Sequence, residues 1–211
     1  MNIIYECGQI IGEKNYQSDE IFVQDSVFAV ADGMGDKNSG KLASKIAIQV
    51  LEQYLDDIEN AFNKINKEII NRLSKYADGL ICGTTLSVLK CDLDSMMYYV
   101  YHVGDSKIFL IRDKSLIQLT KDQSKLENYK KYVKALGINW SIDLYKTIGN
   151  IEKNDIFLIS TDGICDIKDI LEDIVEKEDI VEKDPKSIKE HILSKKHRMK
   201  DNLSFIVLKV F

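Results

Sequence analysis

Four strand-like runs follow one another between residues 84 and 119, and only short turns separate them. The runs are rich in apolar, β-branched and aromatic residues, and the turns carry Asp, Gly or Ser. The four runs are Thr84–Lys90, Met96–Val103, Lys107–Arg112 and Leu116–Leu119. Consecutive strands with short turns predict an antiparallel meander and argue against a fold of alternating βαβ units.

Helices are predicted on both sides of this meander. Apolar residues recur at helical spacing from Ser39 to about Asp57 and from Ile58 to Tyr76, which predicts a helical hairpin over one face of a sheet. Shorter helices are predicted at 168–176 and 185–196, and a polar helical stretch at 124–136. Further strands are predicted at 2–7, 20–24, 27–31, 144–148, 155–160 and 205–210. Two groups of strands with helices at both ends predict an α+β fold of two packed antiparallel sheets flanked by helix layers.

The bulk composition narrows the class of protein. A chain of 211 residues with 45% hydrophobic content can form one substantial core, so we expect one domain over 1–211. The net charge of -5 argues against nucleic acid as the main partner. The first residues lack a signal-peptide pattern, and no apolar run approaches the roughly 20 residues of a membrane helix. The four cysteines lie far apart without CxxC spacing, which is typical of reduced thiols in a cytoplasmic protein and disfavours zinc.

Several acids stand where predicted strands begin or end. Asp32 and Asp162 each follow an apolar run and precede a glycine, Asp105 follows another run, and Asp201 precedes the last strand. Each one alone could be a turn-forming or capping residue. Together, acids at the ends of buried strands would repel one another unless a cation lay between them. All-oxygen ligation favours magnesium, manganese or calcium over zinc.

A nucleotide-binding loop is the main rival interpretation. Residues 35–42 nearly match the phosphate loop G-x-x-x-x-G-K-[ST] and lie between a predicted strand and a helix. However, Leu42 stands where a hydroxyl must ligate the metal, and the meander conflicts with the parallel sheet of that fold. A calcium loop beginning at Asp32 also fails, because Ala43 stands where the closing Glu is needed.

In their order along the chain, the motifs resemble those of the metal-dependent protein serine/threonine phosphatases of type 2C (PPM). Residues 31–35 resemble the signature DGMGG, and 83–86 are similar to its GTTL strand. The VGDSR, SDGL and DN-[IV]-T elements are matched by residues 103–107, 160–163 and 201–204. The resemblance extends over nearly the whole chain, with the elements in family order.

This resemblance implies a four-layer αββα sandwich and a centre of two manganese or magnesium ions. Asp32 would bridge both ions, the Gly33 carbonyl would ligate one, and Asp162 and Asp201 would hold the other. Asp19 would reach the centre through water, Asp105 and Asp162 would hold a third ion, and Lys14 would bind the phosphate. Two ions about 4 Å apart lower the pKa of a water between them, and the resulting hydroxide attacks phosphorus without a covalent enzyme intermediate. The substrates would be phosphorylated proteins of a cognate Ser/Thr kinase in a bacterial cytoplasm.

The chain also departs from the family pattern. Lys14 replaces an arginine, Ser18 replaces Glu or Gln, Asp36 replaces the last glycine of DGMGG, and Gln123 replaces a histidine. Met34 stands where some members carry a histidine that could act as an acid. The flap segment around 124–145 is short. These departures leave open a non-catalytic phosphoprotein-binding module on the same fold.

Overall fold

The computed structural model describes residues 1–73, 82–127, 130–176 and 184–211. Its strands, in chain order, are β1 (Ile3–Ile10), β2 (Asp19–Gln24), β3 (Val27–Met34), β4 (Gly83–Thr84), β5 (Leu86–Asp92), β6 (Met97–Val103), β7 (Lys107–Arg112), β8 (Ser115–Gln118), β9 (Ser124–Glu127), β10 (Lys130–Val133), β11 (Tyr145–Asn150), β12 (Ile156–Ser160) and β13 (Leu203–Val210). The helices are α1 (Lys37–Leu51), α2 (Ile58–Leu73), α3 (Lys168–Glu176) and α4 (Pro185–Ser194), with 3₁₀ helices at Asp162–Ile167 and Lys196–Arg198. None of the helices within these residues is long and apolar enough to span a bilayer.

Two sheets make the centre of the fold. The first has the order β1-β13-β12-β7-β8, and the second has the order β11-β6-β5-β3-β2, with β4 attached to β3. Every strand pair formed by the described residues is antiparallel. The predicted meander is therefore confirmed, and the parallel sheet that a phosphate-loop nucleotidase requires is absent from the described part of the chain.

Alternation along the strands builds three apolar layers. On β3, Phe28 and Val30 point into the layer between the two sheets, whereas Ala29 and Ala31 pack beneath α1 and α2. On β13, Ile206 and Leu208 belong to the layer between the sheets, and the alternate residues pack against α3 and α4. A strand that is buried on both faces has a continuously apolar sequence, because each of its faces packs against a different layer. The predicted α+β sandwich, with helices on both outer faces, is confirmed.

The helical prediction for residues 124–136 is wrong. Strands β9 and β10 form a separate two-stranded hairpin there, which we call the flap. The large apolar side chains of this hairpin do not face a core, because Leu126 is 75% exposed and Tyr132 is 52% exposed. Leu136 is buried. Its backbone exchanges two hydrogen bonds with Thr84, which holds this part of the chain beside the second sheet.

Two helix boundaries also differ from the prediction. Helix α1 begins at Lys37 because Asp36 caps it, and it ends at Leu51 rather than near Asp57. Helix α2 begins at the predicted Ile58, and the predicted end at Tyr76 lies outside the described residues. Pro185 occupies the first turn of α4, as predicted.

Candidate metal centre

The backbone of Asp32 is braced by the Gly-Thr-Thr segment that begins at β4. The N–H of Asp32 donates to Thr85 Oγ1 at 3.1 Å. Its carbonyl accepts from the N–H of Thr85 and from Thr84 Oγ1, each at 2.9 Å. Both threonines are fully buried. The polar residues of this segment therefore fix the position of the first predicted acid.

Two glycines allow α1 to approach β3 backbone to backbone. A Cβ on Gly33 would lie 2.1 Å from the carbonyl oxygen of Gly40, and one on Gly40 would lie 2.8 Å from that of Gly33. No real Cβ contact is that short, so both positions require glycine at this spacing. Ser44 Oγ of α1 donates to the carbonyl oxygen of Ser18 at 2.5 Å. The turn after Asp32, the helix and the loop before β2 thus pack as one unit.

Asp36 caps α1. Its Oδ1 accepts from the N–H of Asn38 at 2.8 Å and of Ser39 at 3.3 Å, and its Oδ2 accepts from Ser39 Oγ at 2.5 Å. These hydrogen bonds, that of the Ser39 hydroxyl first, lower the pKa of Asp36. The departure from the DGMGG signature is therefore a helix cap, because Asp is among the preferred N-cap residues whereas the glycine has no side-chain acceptor.

Asp19 lies between the two sheets, directly opposite Asp32 in the β2–β3 pairing. It is 2% exposed, its Oδ2 accepts from Thr161 Oγ1 at 2.9 Å, and its buried Oδ1 has no hydrogen-bond partner. Thr161 in turn exchanges hydrogen bonds with Ser204 of β13, since its N–H donates to Ser204 O at 3.0 Å and its Oγ1 accepts from Ser204 N–H at 2.9 Å. Asp19 of the second sheet is thereby connected to the first sheet through a hydrogen bond from Thr161.

Asp162 begins the 3₁₀ helix after β12, and Asp201 lies just before the neighbouring strand β13. Asp166 of the same 3₁₀ helix holds the Asp201 turn, because its Oδ2 accepts from the N–H of Lys200 at 2.8 Å and of Asp201 at 3.3 Å. Asp201 Oδ1 also accepts from the N–H of Asn202 at 2.8 Å. The two acids of the first sheet are thus connected through one short helix.

Asn202 fastens the loop that carries Lys14. Its Oδ1 accepts from the N–H of Ser18 at 3.0 Å, and its Nδ2 donates to the carbonyl oxygen of Tyr16 at 2.9 Å. In this position Lys14 Nζ lies 3.4 Å from Asp201 Oδ1, and both side chains are about half exposed. The expected phosphate-binding residue therefore stands at the edge of the acid group.

Asp105 lies in the turn between β6 and β7 and is 2% exposed. The preceding Gly104 has φ of 125°, and a Cβ there would lie 2.5 Å from the Thr85 side chain. Gln123 braces this turn, since its Oε1 accepts from the N–H of Gly104 and its own N–H donates to the Gly104 carbonyl, each at 2.9 Å. The glutamine at the histidine position of the family motif therefore has a structural partner.

One cavity of about 240 Å³ collects most of the predicted site residues. Its lining comprises the predicted residues Lys14, Asp32, Gly33, Asp105, Asp162 and Asp201, together with Tyr16, Ser18, Met34, Gly35, Val133 and Asn202. Asp19 is buried against Asp32 and is not part of the lining. We call this space the acid cavity.

Burial and mutual repulsion hold protons on two of the acids. Burial first, and then the carboxylates of Asp19, Asp162, Asp105 and Asp201, raise the pKa of Asp32 well above its ordinary range. Burial likewise raises the pKa of Asp19 to about 7, against the hydrogen bond from Thr161 and with smaller contributions from Asp162 and Asp201. Such concentrated negative charge in a buried site is costly unless a cation compensates it.

The acid cavity has the chemistry of a site for hard divalent cations. The donors are carboxylate and carbonyl oxygens, and the partnerless Oδ1 of Asp19 is a free buried acceptor. A cavity of about 240 Å³ is far larger than the space that one water needs, which leaves room for ions that keep part of their hydration. Across the described ranges, no three His, Cys, Asp or Glu side chains lie close enough together to hold a metal ion as they stand. The carboxylates therefore line the cavity at separate positions and do not converge on a single point.

Three residues of this site escaped the sequence interpretation. Tyr16 lies in a loop without a recognisable pattern. Val133 was assigned to a helix, so its place beside the cavity could not be anticipated. Asp166 follows Asp162 by one helical turn, and this spacing was the available signal for a residue that supports its neighbour.

The sequence is similar to those of known protein phosphatases. The family model "Protein phosphatase 2C" matches residues 17–204. The serine/threonine phosphatase stp of Listeria welshimeri is 23% identical over 171 residues, covering 67% of each chain. The serine/threonine protein phosphatase PstP of Mycobacterium tuberculosis is 30% identical over 115 residues, which cover 50% of this chain and 22% of that protein.

Solved structures share the fold over the full chain. The catalytic domain of PstP in complex with two manganese ions superposes with a TM-score of 0.80 at 24% identity, covering 99% of each chain. The S. agalactiae serine/threonine phosphatase superposes with a TM-score of 0.83 at 19% identity, covering 100% of each chain. Since the family model covers most of the sequence and the acids of its motifs converge in one cavity, the chain belongs to the protein phosphatase 2C family.

Proposed function

We propose that this protein hydrolyses phosphoserine and phosphothreonine in other proteins with the help of manganese or magnesium ions. The observation that carries the proposal is the convergence of Asp32, Asp105, Asp162 and Asp201 with Lys14 in one cavity. Acids drawn from separate strand ends have no structural reason to accumulate in one place, and their repulsion costs stability. A phosphatase of this family needs that arrangement to hold its ions.

In this proposal, each acid has a role at the ions. Asp32 and the carbonyl oxygen of Gly33 would ligate on the side of the second sheet, and Asp162 and Asp201 on the side of the first. Asp19 would act through water, and Asp105 with Asp162 could hold a third ion. When bound, the ions supply an activated water and positive charge for the phosphoryl oxygens. The two manganese ions reported for the PstP catalytic domain support this choice of metal.

The chain's own groups then orient the substrate. Lys14 is held 3.4 Å from Asp201 and is about half exposed, so its ammonium can turn toward a phosphate without leaving the cavity edge. A lysine binds phosphate as a point charge and lacks the paired donors of an arginine, so the grip on the phosphate is looser. Met34 lines the cavity but cannot donate a proton, so solvent must protonate the leaving oxygen.

The proposal extends to the whole chain. Residues 1–211 would act as one catalytic domain with a short flap segment around 124–145. Its substrates would be the products of a Ser/Thr kinase in the same cytoplasm. The three apolar layers support the first point, because each sheet packs both on the other sheet and on its own helices.

The test is hydrolysis of p-nitrophenyl phosphate and of a phosphothreonine peptide by the manganese-loaded protein. EDTA and Asp162→Asn should each abolish both activities. Asp113→Asn is the matched control, because Asp113 is an exposed turn residue with φ of 48° at the far end of β7 from Asp105, and Asn tolerates that conformation. If the loaded protein retains phosphopeptide in calorimetry but releases no phosphate, the binding module is the better description and the enzymatic proposal fails.

A further inference from the structure

A larger groove opens directly beside the acid cavity. It encloses about 780 Å³, and Met34, Gly35 and Val133 line both spaces. A protein segment whose phosphate lies among the acids must leave the acid cavity in some direction, and this groove is a continuous extension of it. We call it the flap groove, because one wall is formed by the flap strand β10 and the segment that follows it.

The floor of the flap groove is apolar and firmly supported. Ile138 and Ile142 are only partly buried and line the groove together with Val103. The segment that carries them is anchored by the buried Asn66 of α2, whose Oδ1 accepts from the N–H of Gly137 at 2.7 Å and whose Nδ2 donates to the carbonyl oxygen of Asn139 at 2.8 Å. A floor held this way is formed before a ligand arrives, which lowers the cost of binding.

The rim of the groove carries positive charge. The adjoining side pocket is lined by four lysines and two aspartates: Lys121, Lys125, Lys134, Lys146, Asp122 and Asp143. Asp122 accepts from Lys107 at 2.6 Å, Asp143 is bridged to Lys134, and Lys146 is bridged to Glu59 at 2.7 Å, so the charges of these groups compensate one another. Within the described residues, no carboxylate forms a salt bridge with Lys121 or Lys125. The rim is therefore positive in a chain whose net charge is -5.

We propose that the flap groove selects substrates in which an apolar residue lies next to the phosphorylated residue and acidic residues lie beyond it. The apolar side chain would rest on Ile138 and Ile142, and the carboxylates would meet Lys125 and Lys121. An extended chain advances about 3.3 Å per residue, so three flanking residues reach roughly 10 Å along the groove from the phosphorylated residue. This inference rests on the proposed phosphatase function and adds a substrate class to it.

Three phosphothreonine peptides that differ only beside the phosphothreonine test the selection. One carries Leu followed by two Glu, the second carries Ala followed by two Glu, and the third carries Leu followed by two Lys. Each peptide is made in two forms. In one the three residues follow the phosphothreonine, and in the other they precede it in reverse order, so that the same residue stays next to the phosphothreonine. On the favoured side, kcat/KM relative to that for p-nitrophenyl phosphate should fall about tenfold from the first peptide to the second. It should fall about two- to fivefold from the first to the third, as expected for exposed charges.

Two variants assign the effect to the groove. Lys125→Glu should remove or reverse the preference for Glu over Lys, and Ile138→Asp should remove the preference for Leu over Ala. The matched controls are Lys153→Glu, in the exposed turn at the far end of β12 from Asp162, and Ile148→Asp, at a 55% exposed position of β11. Both controls should keep the wild-type preferences.

The outcomes separate this inference from the function on which it rests. If p-nitrophenyl phosphate and all peptides are hydrolysed without discrimination, the substrate class is refuted and the phosphatase function stands. The same conclusion follows if Lys125→Glu and Lys153→Glu change the preference equally. Absence of any hydrolysis by the manganese-loaded protein overturns the proposed function and this inference with it.

Discussion

Replacing Asp19 by Asn should make the metal-free protein more stable above neutral pH. Asp19 is 2% exposed and faces Asp32, its Oδ2 accepts from Thr161, and its Oδ1 has no hydrogen-bond partner. Asn keeps an acceptor for Thr161 and places a donor amide where the partnerless oxygen stands, toward the acid group. The substitution therefore removes a buried negative charge without creating a cavity.

The magnitude follows from the pKa of Asp19. Burial raises this pKa from 3.8 to about 7, a difference of about three units, and each unit is worth about 1.4 kcal/mol. Because the folded state holds the proton more tightly, the free energy of unfolding falls as the pH rises from about 4 to about 7. The charged Asp19 then costs roughly 4 kcal/mol at pH 8. In a chain of this size, that corresponds to roughly 8 to 16 °C in Tm.

Urea unfolding in EDTA at pH 5 and pH 8 measures the effect. The advantage of Asp19→Asn over the wild type should grow by roughly 3 kcal/mol between these pH values. The pKa of His102 is lowered by burial to about 4 and gives the opposite pH dependence, but it acts in both proteins and cancels in the difference. Asp25→Asn, at the exposed end of β2 with φ of 48°, is the matched control and should show no such growth.

Manganese should then narrow the difference between the two proteins. The wild type binds the ion with its full set of acids, whereas Asp19→Asn has lost one, so the wild type should gain more stability from the same concentration. An advantage of Asp19→Asn that is equal at pH 5 and pH 8 would refute the reasoning, because it would mean that burial does not hold the proton on Asp19.

Three further changes test the site and the core. Asp36→Ala should lose about 0.5 to 2 kcal/mol of unfolding free energy in urea, because the N–H groups of Asn38 and Ser39 lose their acceptor; an unchanged value would contradict the capping role. Phe157→Ala should lose about 3 to 5 kcal/mol in the same assay, since Phe157 is fully buried between the sheets; a loss below 1 kcal/mol would contradict that packing. Lys14→Arg should lower the inhibition constant of inorganic phosphate several-fold through paired donors, and Lys14→Ala should raise it; equal constants for all three forms would remove Lys14 from the phosphate site.

The fold could be predicted where apolar residues meet two layers. Runs such as 27–31 and 205–210 are buried on both faces, so their composition alone identifies them as strands. The flap could not be predicted from the same signal, because the segment is polar and its large apolar side chains Leu126 and Tyr132 are exposed. Periodicity reports on burial, and a hairpin that is exposed on its apolar positions carries no such information.

The site could be predicted as a set of acids but not as a network. The sequence predicted the acids because they lie at or near the ends of strands, and these ends meet at one edge of the sandwich. Asp36 accepts from N–H groups only two and three residues ahead, a local capping signal that the prediction did not use, whereas Asp166 accepts from N–H groups of the turn before β13, which no residue pattern encodes. Both residues are acids near the proposed ligands, yet one caps a helix and the other supports the Asp201 turn.

The positions of the acids connect metal binding to the stability of the sandwich. Asp32 and Asp19 belong to the second sheet, whereas Asp162 and Asp201 belong to the ends of β12 and β13 in the first. An ion held by both pairs would link the two sheets at this edge, where Thr161 Oγ1 already donates a hydrogen bond of 2.9 Å to Asp19 Oδ2. A ligand at 100 times its Kd adds about 2.7 kcal/mol of stability. Without metal, the charge of Asp19 costs roughly 4 kcal/mol at pH 8. A cation that relieves part of this cost binds more tightly for that reason, so the carboxylates that destabilise the free protein favour binding of the ions.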